Sequence, residues 1–204
     1  MTLNSEEVLD IIHRMDRLIP DAKSELDYDD PFHMLVAVML SAQSTDKQVN
    51  KIAPALFEAF PNPESMSQVT AQEVEPYIKT LGLYRNKAKY LVSAAKDIVD
   101  KFDGKIPDNR KDLMSLSGVG RKTANVVLSV VFDTPAIAVD THVERVCKRL
   151  NIVPEDATPV QVEKILMEKL PEKYWSHAHQ LLVLFGRYYC TARSNKCYEY
   201  LEDV

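Results

Sequence analysis

Five glycines in 204 residues leave this chain few places to reverse on a left-handed residue, and two of the five stand almost together. Gly118 and Gly120 flank Val119 in "LSGVGRKTANVV" (116–127), followed at once by Arg121, Lys122 and an apolar run. Glycine tolerates positive φ, so such a stretch turns the chain between two helices within a few residues. The backbone N–H groups of the turn then lie at the N-terminus of the next helix. There the macrodipole favours an anion, and a missing side chain lets a partner come close. A DNA phosphate suits the site without any base being read, with Gly118, Val119, Gly120 and Arg121 as the contacts. An ordinary helix–helix corner carries the same local signature.

The rest of the pattern is helical. Scarce glycine with abundant Ala, Leu, Val, Lys and Glu points to an all-α fold. Apolar spacing from Ser5 (Val8, Leu9, Ile11, Ile12, Met15) predicts an amphipathic helix. Further helices are predicted over 29–43, 46–60 (closed by Pro61 and Pro63), 70–81, 84–102, 109–116, 121–132, from Asp140 onward, 158–170 and 173–190. Thr70 and Glu73 make a capping box.

A chain of this length buries a core as one large domain or two small ones. Its formal net charge is −5, which speaks against a polyanionic partner until the distribution is seen. Residues 1–78 hold 5 basic and 14 acidic side chains, 79–149 hold 14 and 8, and 150–204 hold 6 and 8. A basic middle in an acidic chain is the footprint of a DNA-binding face or of a solvated helix surface. Glu6, Glu7, Asp10 and Asp16 interrupt the first 25 residues, so no secretory signal is expected, and no apolar run approaches a membrane span. With three cysteines, the expected home is a reducing one: the cytoplasm, or a nucleoid within it.

Four segments together resemble one family. "LSGVGRKTANVV" resembles the helix–hairpin–helix of the endonuclease III family of DNA glycosylases, and "AIAVDTHVERVCKRL" (136–150) resembles the segment that follows it there. "PFHMLVAVMLSAQSTD" (31–46) and "IKTLGLYRNKAKYL" (78–91) match in the same order and spacing. The resemblance implies two helical subdomains with a DNA cleft between them. One spans 24–134, with the helix–hairpin–helix at 109–132, and the other combines 1–23 with 135–204. It further implies a monomeric bifunctional DNA glycosylase and abasic-site lyase of base excision repair. Such an enzyme acts on double-stranded DNA bearing oxidised pyrimidines or abasic sites, with no membrane partner. Two rival readings are an adenine glycosylase for mispairs with oxidised guanine and a non-catalytic helix–hairpin–helix DNA-binding module.

The chemistry rests on two residues. An amine displaces a base from C1′ and forms a Schiff base only when unprotonated, and an ordinary lysine, at about 10.4, is mostly charged at neutral pH. Partial burial activates Schiff-base lysines. By resemblance Lys122 is this nucleophile; it lies off the packed stripe of Ala124, Val127, Leu128 and Val131, on the face of Asn125, Val126 and Ser129. Asp140 is its partner carboxylate, stabilising the cationic sugar or assisting proton transfer. Thr141 and Glu144 form a capping box, which is expected to free Asp140 from capping. His142 holds DNA or the Asp140 loop, or simply packs. Extruding a nucleotide leaves a gap; the family's plug and wedge fall on Gln43 and Leu83. Lys79, Arg85, Lys87 and Lys89 fit phosphate contacts.

The sequence departs from the family at its iron–sulfur motif, C-x6-C-x2-C-x5-C. Cys190 and Cys197 match the first two ligands, but Tyr200 occupies the third position and no later cysteine follows. Four-iron clusters take four cysteine ligands. No cofactor or metal is expected, with Cys190 and Cys197 as remnants and Cys147 as a small core residue.

Overall fold

The computed structural model describes residues 2–194 and 196–202. Among these residues it contains twelve α-helices, one 3-10 turn and no strand. In chain order the first eight helices are α1 (Ser5–Leu18), α2 (Pro31–Ser41), α3 (Asp46–Ala59), α4 (Pro63–Ser67), α5 (Ala71–Ile78), α6 (Tyr84–Phe102), α7 (Arg110–Leu113) and α8 (Arg121–Val131). They are followed by α9 (Thr141–Arg149), α10 (Pro159–Lys169), the 3-10 turn Glu172–Tyr174, α11 (Trp175–Tyr188) and α12 (Glu199–Glu202). No helix among the described residues is long and apolar enough to cross a membrane.

Short polar side chains start these helices. Asn4, Thr45 and Thr158 each accept from the N–H three residues on, and Glu7, Gln48 and Gln161 reach back to the cap. Such caps contribute about 1 kcal/mol each. Three caps are followed directly by proline: Asp30–Pro31, Asn62–Pro63 and Thr158–Pro159. Proline's fixed φ and missing N–H suit the first helical position. This explains a helix that the sequence pattern hides. Pro63 looks like the terminator of α3, yet with Asn62 as cap it starts α4.

The chain divides into two compact units: Glu25–Phe132, and the residues up to Ser24 together with those from Asp133. In Glu25–Phe132, α2 is apolar nearly all round and every residue from Phe32 to Leu40 is buried, as the core helix of a unit must be. It packs against α3, α6 and α8, while α6 also carries α4 and α5. In the other unit, α11 lies against α1 and α9. The core there runs through Ile12, Met15, Val146, Leu181 and Phe185. Gly186 permits the close approach of α9 and α11: a Cβ on it would stand 2.8 Å from the His142 Cβ.

Candidate active site and nucleic-acid interface

The turn between α7 and α8 is built by two glycines with different requirements. Gly118 has φ +76°, and a Cβ there would meet the Tyr90 ring at 2.8 Å. Gly120 is extended, with φ −92° and ψ 178°, and no heavy atom lies within 4 Å of where its Cβ would be. Nothing inside the protein demands a glycine at 120. It is the N-cap of α8 and brings no capping side chain. The Val119 side chain is buried and its N–H donates to the Leu116 carbonyl at 3.1 Å. Arg121, just beyond, is exposed.

Helix α6 clamps this turn. Asp97 Oδ2 accepts from the Ser117 N–H at 2.9 Å and from its hydroxyl at 2.8 Å. Ser93 donates to the Ser117 hydroxyl at 2.7 Å, and Lys101 holds Asp97 Oδ1 at 2.7 Å. Burial alone would raise the Asp97 carboxyl, but the hydrogen bonds from Lys101 and Ser117 outweigh it and hold it below its ordinary value. Arg110 of α7 donates to Asn125 of α8 at 2.8 Å, fixing the two hairpin helices to each other. No sequence signal pointed to this clamp, because Asp97 and Ser117 are 20 residues apart.

Lys122 lies in the first turn of α8 and is half-buried. The face assigned to it is not open: Asn125, Val126 and Ser129 are buried along with Ala124, Val127 and Leu128, whereas Val131 is only half-buried. Asp140 proves to be the N-cap of α9, which overturns the expectation that Thr141 and Glu144 would do this work. Its Oδ1 accepts from the N–H groups of His142 at 2.8 Å and Val143 at 2.9 Å. Thr141 is already helical, and Glu144 is engaged by Lys148 at 2.6 Å. A carboxylate on extended backbone at a helix start satisfies two orphan donors and complements the dipole. Oδ2 takes no part in the cap. His142 packs on Gly186 and its Nδ1 lies 3.1 Å from Arg145, which also donates to the Gly186 and Cys190 carbonyls.

Gln43 and Leu83 share a conformation rare for residues with side chains. Both are left-handed, at φ 54° and 57°, and both are exposed, Leu83 by 55 %. Their loops touch: the position of a Cβ on Gly82 is 3.6 Å from the Gln43 carbonyl oxygen. Lys79, Arg85 and Lys89 are exposed nearby, with Arg85 stacked on Tyr84 at 4.9 Å. Lys87 is different. It is 7 % exposed, and its amine donates to the Leu40 carbonyl at 2.8 Å and the Ser44 hydroxyl at 2.9 Å. It is not a phosphate contact. The i, i+4 spacing to the buried Leu91 puts it on the inward face of α6, which charge type alone does not reveal.

At the C-terminal end, Cys190 and Cys197 are bonded to each other. They are neither free remnants nor available as a pair of thiolate ligands. Tyr200 packs edge-on against Tyr189 at 5.4 Å, and Arg149 donates to the carbonyls of Thr191, Ala192 and Ser194. This donor set does not fit a four-cysteine cluster. Among the described residues no group of acidic, histidine or cysteine side chains is arranged to hold a metal ion. Cys147 is a buried thiol, pushed well above its ordinary value by desolvation.

A glycine-built hairpin, a half-buried lysine at the start of its second helix and two exposed left-handed tips define a class. Residues 36–172 match the family of HhH-GPD superfamily base excision DNA repair proteins, and the chain belongs to that superfamily. Within it the chain is similar to endonuclease III. It is 46% identical to the Bacillus subtilis (strain 168) protein over 197 residues, covering 97% of this chain and 90% of that one. It is 40% identical to the Escherichia coli K12 protein over 195 residues, covering 96% and 92%. A trapped endonuclease III–DNA covalent intermediate, 46% identical, superposes with a TM-score of 0.92 over 94% of this chain and 90% of that one. The chain is thus a bifunctional glycosylase and lyase of base excision repair.

Proposed function

We propose that the enzyme removes oxidised pyrimidines from double-stranded DNA with Lys122 as nucleophile and Asp140 as the carboxylate that faces the developing sugar cation. The observation that carries the reading is the placing of Lys122, half-buried in the first turn of α8, two residues after a glycine that nothing in the protein requires. The uncapped start of α8 receives a phosphate, and the same helix presents the amine to the adjoining sugar. The lone pair of Lys122 Nζ attacks C1′ while the C1′–base bond breaks, and its electrons leave with the base, which takes up a proton. The ring oxygen is then expelled from C1′ and the Schiff base forms. This makes the C2′ proton acidic; its removal drives β-elimination, breaking the C3′–O3′ bond and cutting the strand 3′ to the lesion. Asp140 Oδ1 is held by the start of α9, which supports giving Oδ2 the task of opposing positive charge on the sugar. The lesion class is carried by the likeness to endonuclease III. Action on duplex DNA supports a cytoplasmic, nucleoid-associated site of action, and the enzyme is read as a monomer.

The test is borohydride reduction during reaction on a duplex with one abasic site. Wild type is expected to give a covalent complex with the modification mapped to Lys122 by mass spectrometry. Lys122→Ala should give neither complex nor cleavage while still binding the duplex. Wild-type trapping by the variant would move the nucleophile elsewhere.

A further inference from the structure

Lys87 is a buried ammonium with no carboxylate partner among the described residues. Its acceptors are a carbonyl and a hydroxyl, Leu40 O at 2.8 Å and Ser44 Oγ at 2.9 Å, and burial pushes its pKa below the ordinary lysine value. A buried charge is costly even when hydrogen-bonded, and an apolar side chain of similar volume is often as stable in its place. Methionine would fill the same space without that cost. What the ammonium adds is a tie between two elements.

One end of the tie is the last turn of α2. Leu40 sits one residue before the end of that helix, where carbonyls lack intrahelical partners and the dipole is negative, so a cation is favoured there. The other end is α6, whose first turn includes the bond from the Lys87 N–H to the Leu83 carbonyl at 3.0 Å. Lys87 thus grips both residues that flank the segment 41–43, which ends α2 and turns, while its own backbone anchors the loop at 82–83. Those loops carry Gln43 and Leu83, both exposed and both left-handed. Left-handed backbone at residues with side chains persists only where the surroundings over-determine it. Ser44, directly after Gln43, is one of the two groups the ammonium holds.

We propose that Lys87 is a positioning residue that locks Gln43 and Leu83 into a single projecting pair, ready to fill and wedge the gap left by an extruded nucleotide. This rests on the plug and wedge roles of those two residues and names the device that sets them.

The experiment uses the full chain and a duplex carrying a tetrahydrofuran abasic analogue opposite 2-aminopurine, whose fluorescence rises when it unstacks. Lys87→Met is expected to lower the fraction unstacked at saturating protein about tenfold, the scale of a lost hydrogen bond to a charged group. In a Gln43→Ala/Leu83→Ala background, the same substitution should cost nothing further, because there is nothing left to position. Ser44→Ala, which leaves the ammonium in place and removes one acceptor, should act in the same direction and more weakly. Should Lys87→Met fail to fold by circular dichroism, Ser44→Ala carries the test alone. Wild-type unstacking in the folded variants, or a full additive loss in the tip-less background, would overturn the positioning role and leave plug and wedge standing. Wild-type unstacking by Gln43→Ala/Leu83→Ala itself would overturn the plug-and-wedge reading, and the positioning role with it.

Discussion

Asp140 has two oxygens and two tasks. Oδ1 is committed to the start of α9, and the proposed chemistry falls to Oδ2. Two substitutions separate the tasks. Asp140→Asn keeps an acceptor for the His142 and Val143 N–H groups but removes the charge. It is expected to slow base release in single-turnover assays by at least about tenfold, the scale of one lost electrostatic contact in a transition state, with the thermal midpoint nearly unchanged. Asp140→Ala should lose the rate and also about 1 kcal/mol of stability. A normal rate in Asp140→Asn would reduce the residue to a cap. The local signals at 140–144 admit either cap, Asp140 or the Thr141–Glu144 box. The choice went to Asp140 because its backbone is extended where the helix begins, while Glu144 is drawn to Lys148.

The hairpin is the element proposed to hold the DNA backbone, and its glycines make opposite demands. Gly118→Ala forces a methyl group against the Tyr90 ring on left-handed backbone, so it should destabilise the fold by about 1–3 kcal/mol in denaturant titration. Gly120→Ala meets no atom of the protein and should cost about 1 kcal/mol or less, the ordinary difference between glycine and alanine at a cap position. It should nonetheless weaken duplex binding, since the methyl group would stand where the proposed phosphate approaches. Equal affinity for the Gly120→Ala variant would leave the turn a mere corner. The clamp from α6 is pH-dependent. Asp97 is held below its ordinary 3.8, so its contribution is present above that value and is lost as the pH falls through the lower folded-state value. The stability gap between wild type and Asp97→Asn should therefore be constant near neutrality and close only in acid, as followed by urea melts at a series of pH values.

At the scale of the whole molecule, the acidic net charge hides a basic block in residues 79–149. Duplex affinity should fall steeply with salt, because each neutralised phosphate releases counterions; about six contacts cost roughly a thousandfold between ~50 and ~200 mM. Lys89→Glu, at an exposed position, should lower affinity for all sequences alike, and a salt-independent affinity would leave the block merely solvated. The C-terminal closure gives a second expectation. With Cys190 bonded to Cys197 and Tyr200 packed on Tyr189, purified protein should be colourless, lack stoichiometric iron and keep its lyase activity after chelation. Thiol titration in denaturant should count one cysteine, Cys147, before reduction and three after it. Cys197→Ser should cost about 2 kcal/mol, as for a short closed loop. Stoichiometric iron with acid-labile sulfide would refute the closure.

The sequence by itself determined most helix starts and stops, because those signals act over three or four residues; it missed α4, whose cap follows straight on the end of α3, and the cap of α9. The 19 residues of α6 lie where the apolar spacing and Gly104 put them, and Thr70 with Glu73 opens α5. It also determined the family, whose motifs are contiguous segments in a fixed order. Tertiary structure decided everything that depends on what lies across space from a residue. Lys87 and Lys89 are the same residue type two positions apart on one helix. One is buried against the end of α2 and the other is in solvent, because a helix turns about 200° over two residues. Asp97 finds Ser117, Arg149 finds the carbonyls beside Cys190, and Gly118 finds Tyr90, all through packing that no local pattern encodes. A charge written in sequence has a type; only the fold gives it an address.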